Sequence, residues 1–357
     1  MPTIRRPLTV RPLVAVLWLA LCALAAPATA HAGAFLPPPG KLYHGVSMGD
    51  VGGFDRQVGS HSPVVQQFVT FGDTTIEYAF EPAHANRSRV MLHISTSDGS
   101  GPERISPGAI AAGRGDDYLL FLNQRIAQEG APVYIRLMAE MNAYWNRYSA
   151  FDANGRSRGA GHSTAAFRRA WRRIVLIVRG GPVATIDARL RALRLPAVRT
   201  QATALPKAPV AFLWVPQVAG APDTAANGPA AYWPGRKYVD WAGTDFYAKF
   251  PNFAGLERFY DGGPWRTKPF MFGEWAMWGA DQPAFVTRLF RWVHTHRCAR
   301  MLMYNNGKFA DGPFRLTRYP RARAALAREL RSPRFVRFTP EFGGLTRTPD
   351  RTGVARR

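Results

Sequence analysis

The chain has 357 residues, 46% of them hydrophobic, with 47 lysines and arginines against 24 acidic residues and a formal charge of +23. That length suits one large α/β domain or two small ones, and a count of only two cysteines excludes a small disulfide-stapled module. The arginines are scattered, in pairs such as Arg168-Arg169 and Arg172-Arg173, so no nucleic-acid partner is expected. The electrostatic consequence is adhesion to an anionic envelope or polysaccharide.

The first segment reads as a secretory signal peptide over residues 1–32. Arg5, Arg6 and Arg11 supply its positive region and Leu13 to Ala26 its apolar stretch. Ala28-Thr-Ala30 or Ala30-His-Ala32 offers a small-residue cleavage site. The apolar stretch is too short for a comfortable span, and no later one reaches the required length, so no transmembrane segment is expected. Cys22 follows Leu19-Ala-Leu, without the small residue that precedes a lipidated cysteine. The expected product is a secreted monomer with a charge of about +20 and Cys298 as its one cysteine.

From Lys41 onward short apolar runs alternate with amphipathic stretches, the pattern of βα units. Expected strands are Tyr43 to Ser47, Gln67 to Phe71, Arg89 to Ser95, Val133 to Ala139, Val210 to Val215, Tyr238 to Thr244, Pro269 to Gly273 and Arg300 to Tyr304. Helices are expected at Asp117 to Gln128, Ser163 to Val178, Pro283 to Thr295 and Tyr319 to Leu330, with another near Ile186 to Leu193. In the second of these, Phe167, Trp171, Ile174, Val175 and Val178 recur at helical spacing behind the cap Ser163. Eight strands with intervening helices give an α/β fold, a (β/α)₈ barrel forming a single domain over residues 33–335. Residues 336–357 are a C-terminal tail.

Two of these runs end in a carboxylate: Val133 to Ala139 runs into Glu140, and Lys268 to Gly273 runs into Glu274. A carboxylate is costly to bury, yet the C-terminal ends of barrel strands are where catalytic residues sit. Two carboxylates placed on different strands are the equipment for cleaving a glycosidic bond. Counted along the strands they end the fourth and the seventh, on opposite sides of the barrel mouth. Arg136, four residues before Glu140, shares its face by strand alternation and would keep the nucleophile ionised and oriented. His294, His296 and Cys298 fall across the end of a helix and do not converge, so no metal is expected.

The segment Arg136-Leu-Met-Ala-Glu140-Met-Asn142-Ala-Tyr-Trp145 resembles the acid/base segment of glycoside hydrolase family 26, which contains many endo-β-1,4-mannanases. The usual form there is Arg-Pro-x-His-Glu-Met-Asn-Gly-x-Trp. The likeness extends in order through Phe167 to Trp171, Phe212-Leu-Trp214-Val-Pro216, Tyr238-Val-Asp-Trp-Ala-Gly-Thr-Asp245-Phe-Tyr247 and Lys268-Pro-Phe-Met-Phe-Gly-Glu274. It departs at Ala139, where the family has His, and at Ala143, where it has Gly. The resemblance implies a retaining enzyme with Glu140 as acid/base and Glu274 as nucleophile, Tyr247 touching the nucleophile and Trp145 lining the sugar site.

The reading is therefore a secreted retaining hydrolase of β-linked polysaccharide, β-mannan first, needing no cofactor. Arg136, Asn142, Trp145, Trp214, Tyr247 and Trp275 are its expected substrate-binding residues. Two alternatives remain at this point. One is a non-catalytic carbohydrate-binding protein on a decayed barrel; the other is a β-glucanase or a hydrolase that remodels exopolysaccharide.

Overall fold

Eight apolar runs pair side by side into one closed sheet. They are β1 (Tyr43–Ser47), β2 (Val64–Thr70), β3 (Arg89–Ser95), β4 (Val133–Leu137), β5 (Val210–Trp214), β6 (Trp241–Tyr247), β7 (Phe270–Ala276) and β8 (Ala299–Asn305). Every neighbouring pair is parallel, and β8 closes the barrel on β1 with Tyr43 opposite Met301. The computed structural model describes residues 35–99, 101–309 and 312–343. The expected signal peptide at 1–32, with Cys22, and residues 344–357 of the expected tail lie outside the described residues. Among the described residues no helix is long and apolar enough to cross a membrane.

An outer layer is built from α1 (Val51–Val58), α2 (Glu77–Ala85), α3 (Asp116–Glu129), α4 (Thr164–Arg179), α5 (Val183–Ala192), α6 (Phe253–Asp261), α7 (Pro283–Thr295) and α8 (Pro320–Glu329). Ser163 caps α4 by accepting from the Ala166 amide at 3.1 Å, which fixes where the helix starts. Behind that cap Phe167, Trp171, Ile174, Val175 and Val178 are all buried, the one-sided burial that the helical spacing demands. Between β5 and β6 three short 3₁₀ turns, Ala225–Asn227, Pro229–Tyr232 and Arg236–Tyr238, stand in place of a helix. Proline and glycine in that stretch cannot sustain one.

Strand boundaries differ from the sequence reading at several ends, and the run read as Gln67 to Phe71 pairs over Val64–Thr70. The run read as Tyr238 to Thr244 is strand only from Trp241. Asp240 accepts instead from the Phe212 amide and Arg179, while the pairing continues through Asp245 to Tyr247. Likewise β7 runs past Gly273 to Ala276, so Glu274 lies within the strand rather than after it. By contrast β4 stops at Leu137, because Met138 and Glu140 adopt positive φ of 39° and 52°.

Alternation along each strand splits the apolar residues between two cores. Phe270, Phe272 and Trp275 face the helices, whereas Tyr43, Met91, Tyr134, Leu213, Trp241, Met271, Met301 and Met303 fill the barrel interior. At the base, Arg89 lies over the rings of Tyr43 and Tyr134 at 5.6 and 5.1 Å. Its guanidinium grips both oxygens of Glu341 at 2.7 Å. Residues 336–343 thus wrap the base of the barrel, with the Val336 amide bonded to the Leu42 carbonyl. Arg89→Ala is expected to destabilise the fold by about 2–3 kcal/mol, a buried ion-pair loss discounted for the partial exposure of Glu341. Burial raises the Glu341 carboxyl, but Arg89 outweighs it and holds the pKa below its ordinary value. The clamp is therefore fully formed above the ordinary glutamate pKa, and its contribution fades as pH falls through the depressed one. Thermal melts of the two proteins at neutral and acid pH should converge on the acid side.

Candidate active site

The C-terminal ends of β3, β4, β6, β7 and β8 converge on one buried arginine. Arg136, only 1% exposed, donates from Nη1 to Glu274 Oε1 at 2.7 Å and to His93 Nδ1, and from Nη2 to Asp245 Oδ2. Burial works against its charge, but Asp245, Glu274 and Glu140 outweigh that cost and hold its pKa above the ordinary value. Burial, reinforced by the adjacent guanidinium, pushes His93 well below the usual imidazole range. His93 is consequently neutral, with Nδ1 as acceptor and its proton on Nε2.

Glu274 uses both carboxylate oxygens. Oε1 accepts from Arg136, while Oε2 accepts from the Tyr247 hydroxyl and from Asn305 Nδ2 at 3.1 Å. Asn305 also donates to the Tyr247 oxygen at 3.0 Å. An array made only of donors fixes the orientation of the carboxylate.

Gly273 makes this packing possible. A Cβ there would lie 2.8 Å from Arg136 Nε, Asp245 Oδ1 and Val215 Cγ1, so the guanidinium and carboxylate occupy the space of the missing side chain. A register shift between β6 and β7 beside this residue lets Glu274 turn inward although Trp275 faces out.

Glu140 is held differently. Its amide donates to the Val215 carbonyl at 2.7 Å. Its Oε2 accepts from Trp145 Nε1 at 2.7 Å and its Oε1 from Gln217 Nε2 at 2.5 Å. Burial, with the charge of Glu274 next, raises its pKa; the Trp145 donor and Arg136 oppose the rise. Its left-handed backbone is uncommon for glutamate and costs energy, which the surrounding hydrogen bonds must offset. Asp245, pushed well up by burial against the pull of Arg136, completes a set of three carboxyls around one guanidinium. Burial thus raises both Asp245 and Glu140 although a guanidinium stands beside them.

Of the residues expected from sequence, Glu140, Glu274, Arg136, Tyr247 and Trp145 are brought together here. Three others are not at the cleft. Trp214 is fully buried beneath the helices, its ring 4.9 Å from Trp233 and 5.0 Å from Trp265. Trp275 packs on Phe290 and Tyr304. Both sit next to inward-facing residues and therefore point outward, away from the barrel mouth. Asn142 is also fully buried and acts on the backbone: Nδ2 donates to the carbonyls of Gln217 and Ala219, and Oδ1 accepts from the Gln217 amide. It clips the loop after β5 to the loop after β4 and so carries Gln217 to Glu140. His93, Gln217 and Asn305 lay outside the sequence-based set, and Asp245 entered it only as part of the Tyr238 to Tyr247 segment. Three of these are polar residues on inward positions at strand ends, a signal the sequence does carry. Gln217 has none.

No protein-family model matches the sequence, and no curated protein matches it either. Solved structures do match. The Bacillus subtilis mannanase BCman superposes with a TM-score of 0.53 at 13% identity, over 91% of this chain and 94% of that one. The catalytic domain of the Bacillus sp. JAMB-750 GH26 endo-beta-1,4-mannanase gives 0.53 at 14%, over 85% and 89%. The Bacteroides ovatus GH26 beta-mannanase gives 0.50 at 16%, over 84% and 90%. The chain has a GH26-like fold. Within that GH26-like barrel Arg136 gathers Asp245, Glu274 and His93 at the C-terminal end of the strands.

Proposed function

We propose that this protein is a retaining glycoside hydrolase of β-linked polysaccharide, with β-mannan the first substrate to test. The observation that carries the reading is the contrast between two carboxyls at one barrel mouth. Glu274 is gripped by Arg136, Tyr247 and Asn305, while the pKa of Glu140 is raised by burial and by the charge of Glu274. Such a pair divides the work into nucleophile and acid. Glu274 attacks the anomeric carbon as Glu140 passes its proton to the leaving glycosidic oxygen. The resulting glycosyl-enzyme is opened by water, whose proton Glu140 takes back. Tyr247 and Asn305 keep the Glu274 carboxylate aimed, and the half-exposed Trp145 offers a ring face beside Glu140. The chemistry balances without a cofactor.

The N-terminal charge and hydropathy pattern supports export, and the excess of basic residues supports attachment to an anionic envelope. Initial rates on mannan, mixed-linkage glucan and xylan, read as reducing ends, test the substrate class. Proton NMR of the first product tests retention: an α-anomer from a β-linked substrate would overturn it.

The hydrogen bond from Trp145 makes a pH prediction. Its indole N–H favours the ionised form of Glu140, so Trp145→Phe should raise the carboxyl's pKa. The acid must be protonated to act, and activity falls as pH rises through that pKa. The alkaline limb of the kcat profile should therefore move to higher pH in Trp145→Phe. A limb that stays in place would remove Trp145 from the assignment.

A further inference from the structure

The loops that follow β3 and β4 border an open surface cavity of about 660 Å³ lined by Pro102, Glu103, Arg147, Arg158 and His162. That volume lies within the range of small-molecule sites. The cavity adjoins the segment that carries Trp145. Arg158 donates from Nη1 to the carbonyls of Asn146 and Arg147 at 2.7 and 3.0 Å, and from Nη2 to that of Tyr144 at 2.6 Å. It thus grips the backbone on both sides of Trp145, whose indole reaches Glu140. Tyr144 and Trp145 present exposed rings there, 42% and 48% accessible.

The charge of the lining is lopsided. Two guanidiniums stand against a single carboxylate, Glu103, whose oxygens are already held by Thr96 at 2.8 Å and His162 at 2.6 Å. A pocket with this small positive excess matches a monoanion better than a doubly charged phosphate. The other rim repeats the pairing of cation with aromatic. Lys249 Nζ lies 4.9 Å from the Trp278 ring centre, and that ring packs at 5.6 Å on Tyr247, the residue bonded to Glu274. A chain with so large an excess of basic residues also concentrates polyanions at its surface before any contact forms.

We propose that the Arg147–Arg158–His162 cavity is a subsite for a carboxylate-bearing sugar, and that the polysaccharide this site takes contains β-linked uronate residues. The placement of that sugar a short distance along the substrate from the bond at Glu140 rests on the glycosidase reading above; the recognition of its carboxylate does not.

Calorimetric titration of the Glu274→Gln protein at low ionic strength tests it, with a β-1,4-linked tetrasaccharide of mannuronate against the neutral mannotetraose. The uronate should bind at least about tenfold more tightly. That advantage should shrink as salt shortens the range of the attraction. Arg147→Glu, made at an exposed side chain that leaves the Arg158 backbone clamp intact, should abolish it. Equal affinities for the two tetrasaccharides, or an advantage that survives Arg147→Glu, would overturn the inference. Displacement of the uronate by inorganic sulfate at equal concentration would also overturn it, since the cavity would then be a simple anion trap. Reducing-end assays on the unsubstituted protein separate this from the parent reading. Cleavage of mannan with no preference for a carboxylated form defeats the uronate subsite and leaves the hydrolase. Arg147-dependent uronate binding with no cleavage of any polymer supports the subsite and defeats the hydrolase.

Discussion

Glu274→Ala is expected to lower kcat by at least about three orders of magnitude on any substrate, because without that carboxylate no glycosyl-enzyme can form. Glu140→Ala should fail selectively. Polysaccharide, whose leaving group needs a proton, should lose most of its turnover, whereas an aryl glycoside with an acidic leaving group should lose much less in the first step. Its second step, deprived of the base, should then be limiting. In Glu274→Ala azide can only stand in for the missing carboxylate and give an inverted α-azide, whereas in Glu140→Ala it should restore the rate by attacking the trapped intermediate. The rescued product would be a β-glycosyl azide, retained in configuration and identifiable by NMR. Ordinary turnover in either alanine protein would sink the assignment of that residue.

Arg136→Met carries the second large effect. The guanidinium lies between Asp245, Glu274 and His93 and is almost wholly out of water. Its loss leaves two buried carboxyls facing one another without a cation, a change that costs about 3–5 kcal/mol in comparable buried pairs. The penalty should lessen as the pH falls, since protonating one carboxyl relieves the repulsion. Denaturant midpoints measured across acid and neutral pH should therefore approach those of the unsubstituted protein at the acid end. Parallel curves with a constant gap would mean that Arg136 contributes through packing rather than charge.

The barrel itself is legible because each strand is a short apolar run bounded by glycine, proline or charge, and such runs persist however the chain folds. The site is legible in part. Glu140 and Glu274 stand out since an acid at the end of such a run has no easy place in a core. Trp214 and Trp275 mislead because large aromatics suit both sugar stacking and the layer beneath helices. Alternation decides between these: Leu213 and Val215 face inward, so Trp214 cannot. The same rule marks His93 and Asn305 as inward residues. It does not apply at Glu140, where the positive φ of Met138 and Glu140 ends the strand geometry before the acid is reached. Gln217 is brought in by a contact between two loops 75 residues apart at Asn142, and no local pattern encodes that.

That same contact bears on how the protein tolerates recombination. Asn142 fastens the loop after β4 to the loop after β5, and a parallel bridge between Ala143 and Ala221 continues the seam. The two loops therefore behave as one heritable cassette. A chimera that imports either alone from another barrel would separate Gln217 from Glu140 and arrive with an unsupported acid, while one that imports both would carry its own acid–amide pair intact.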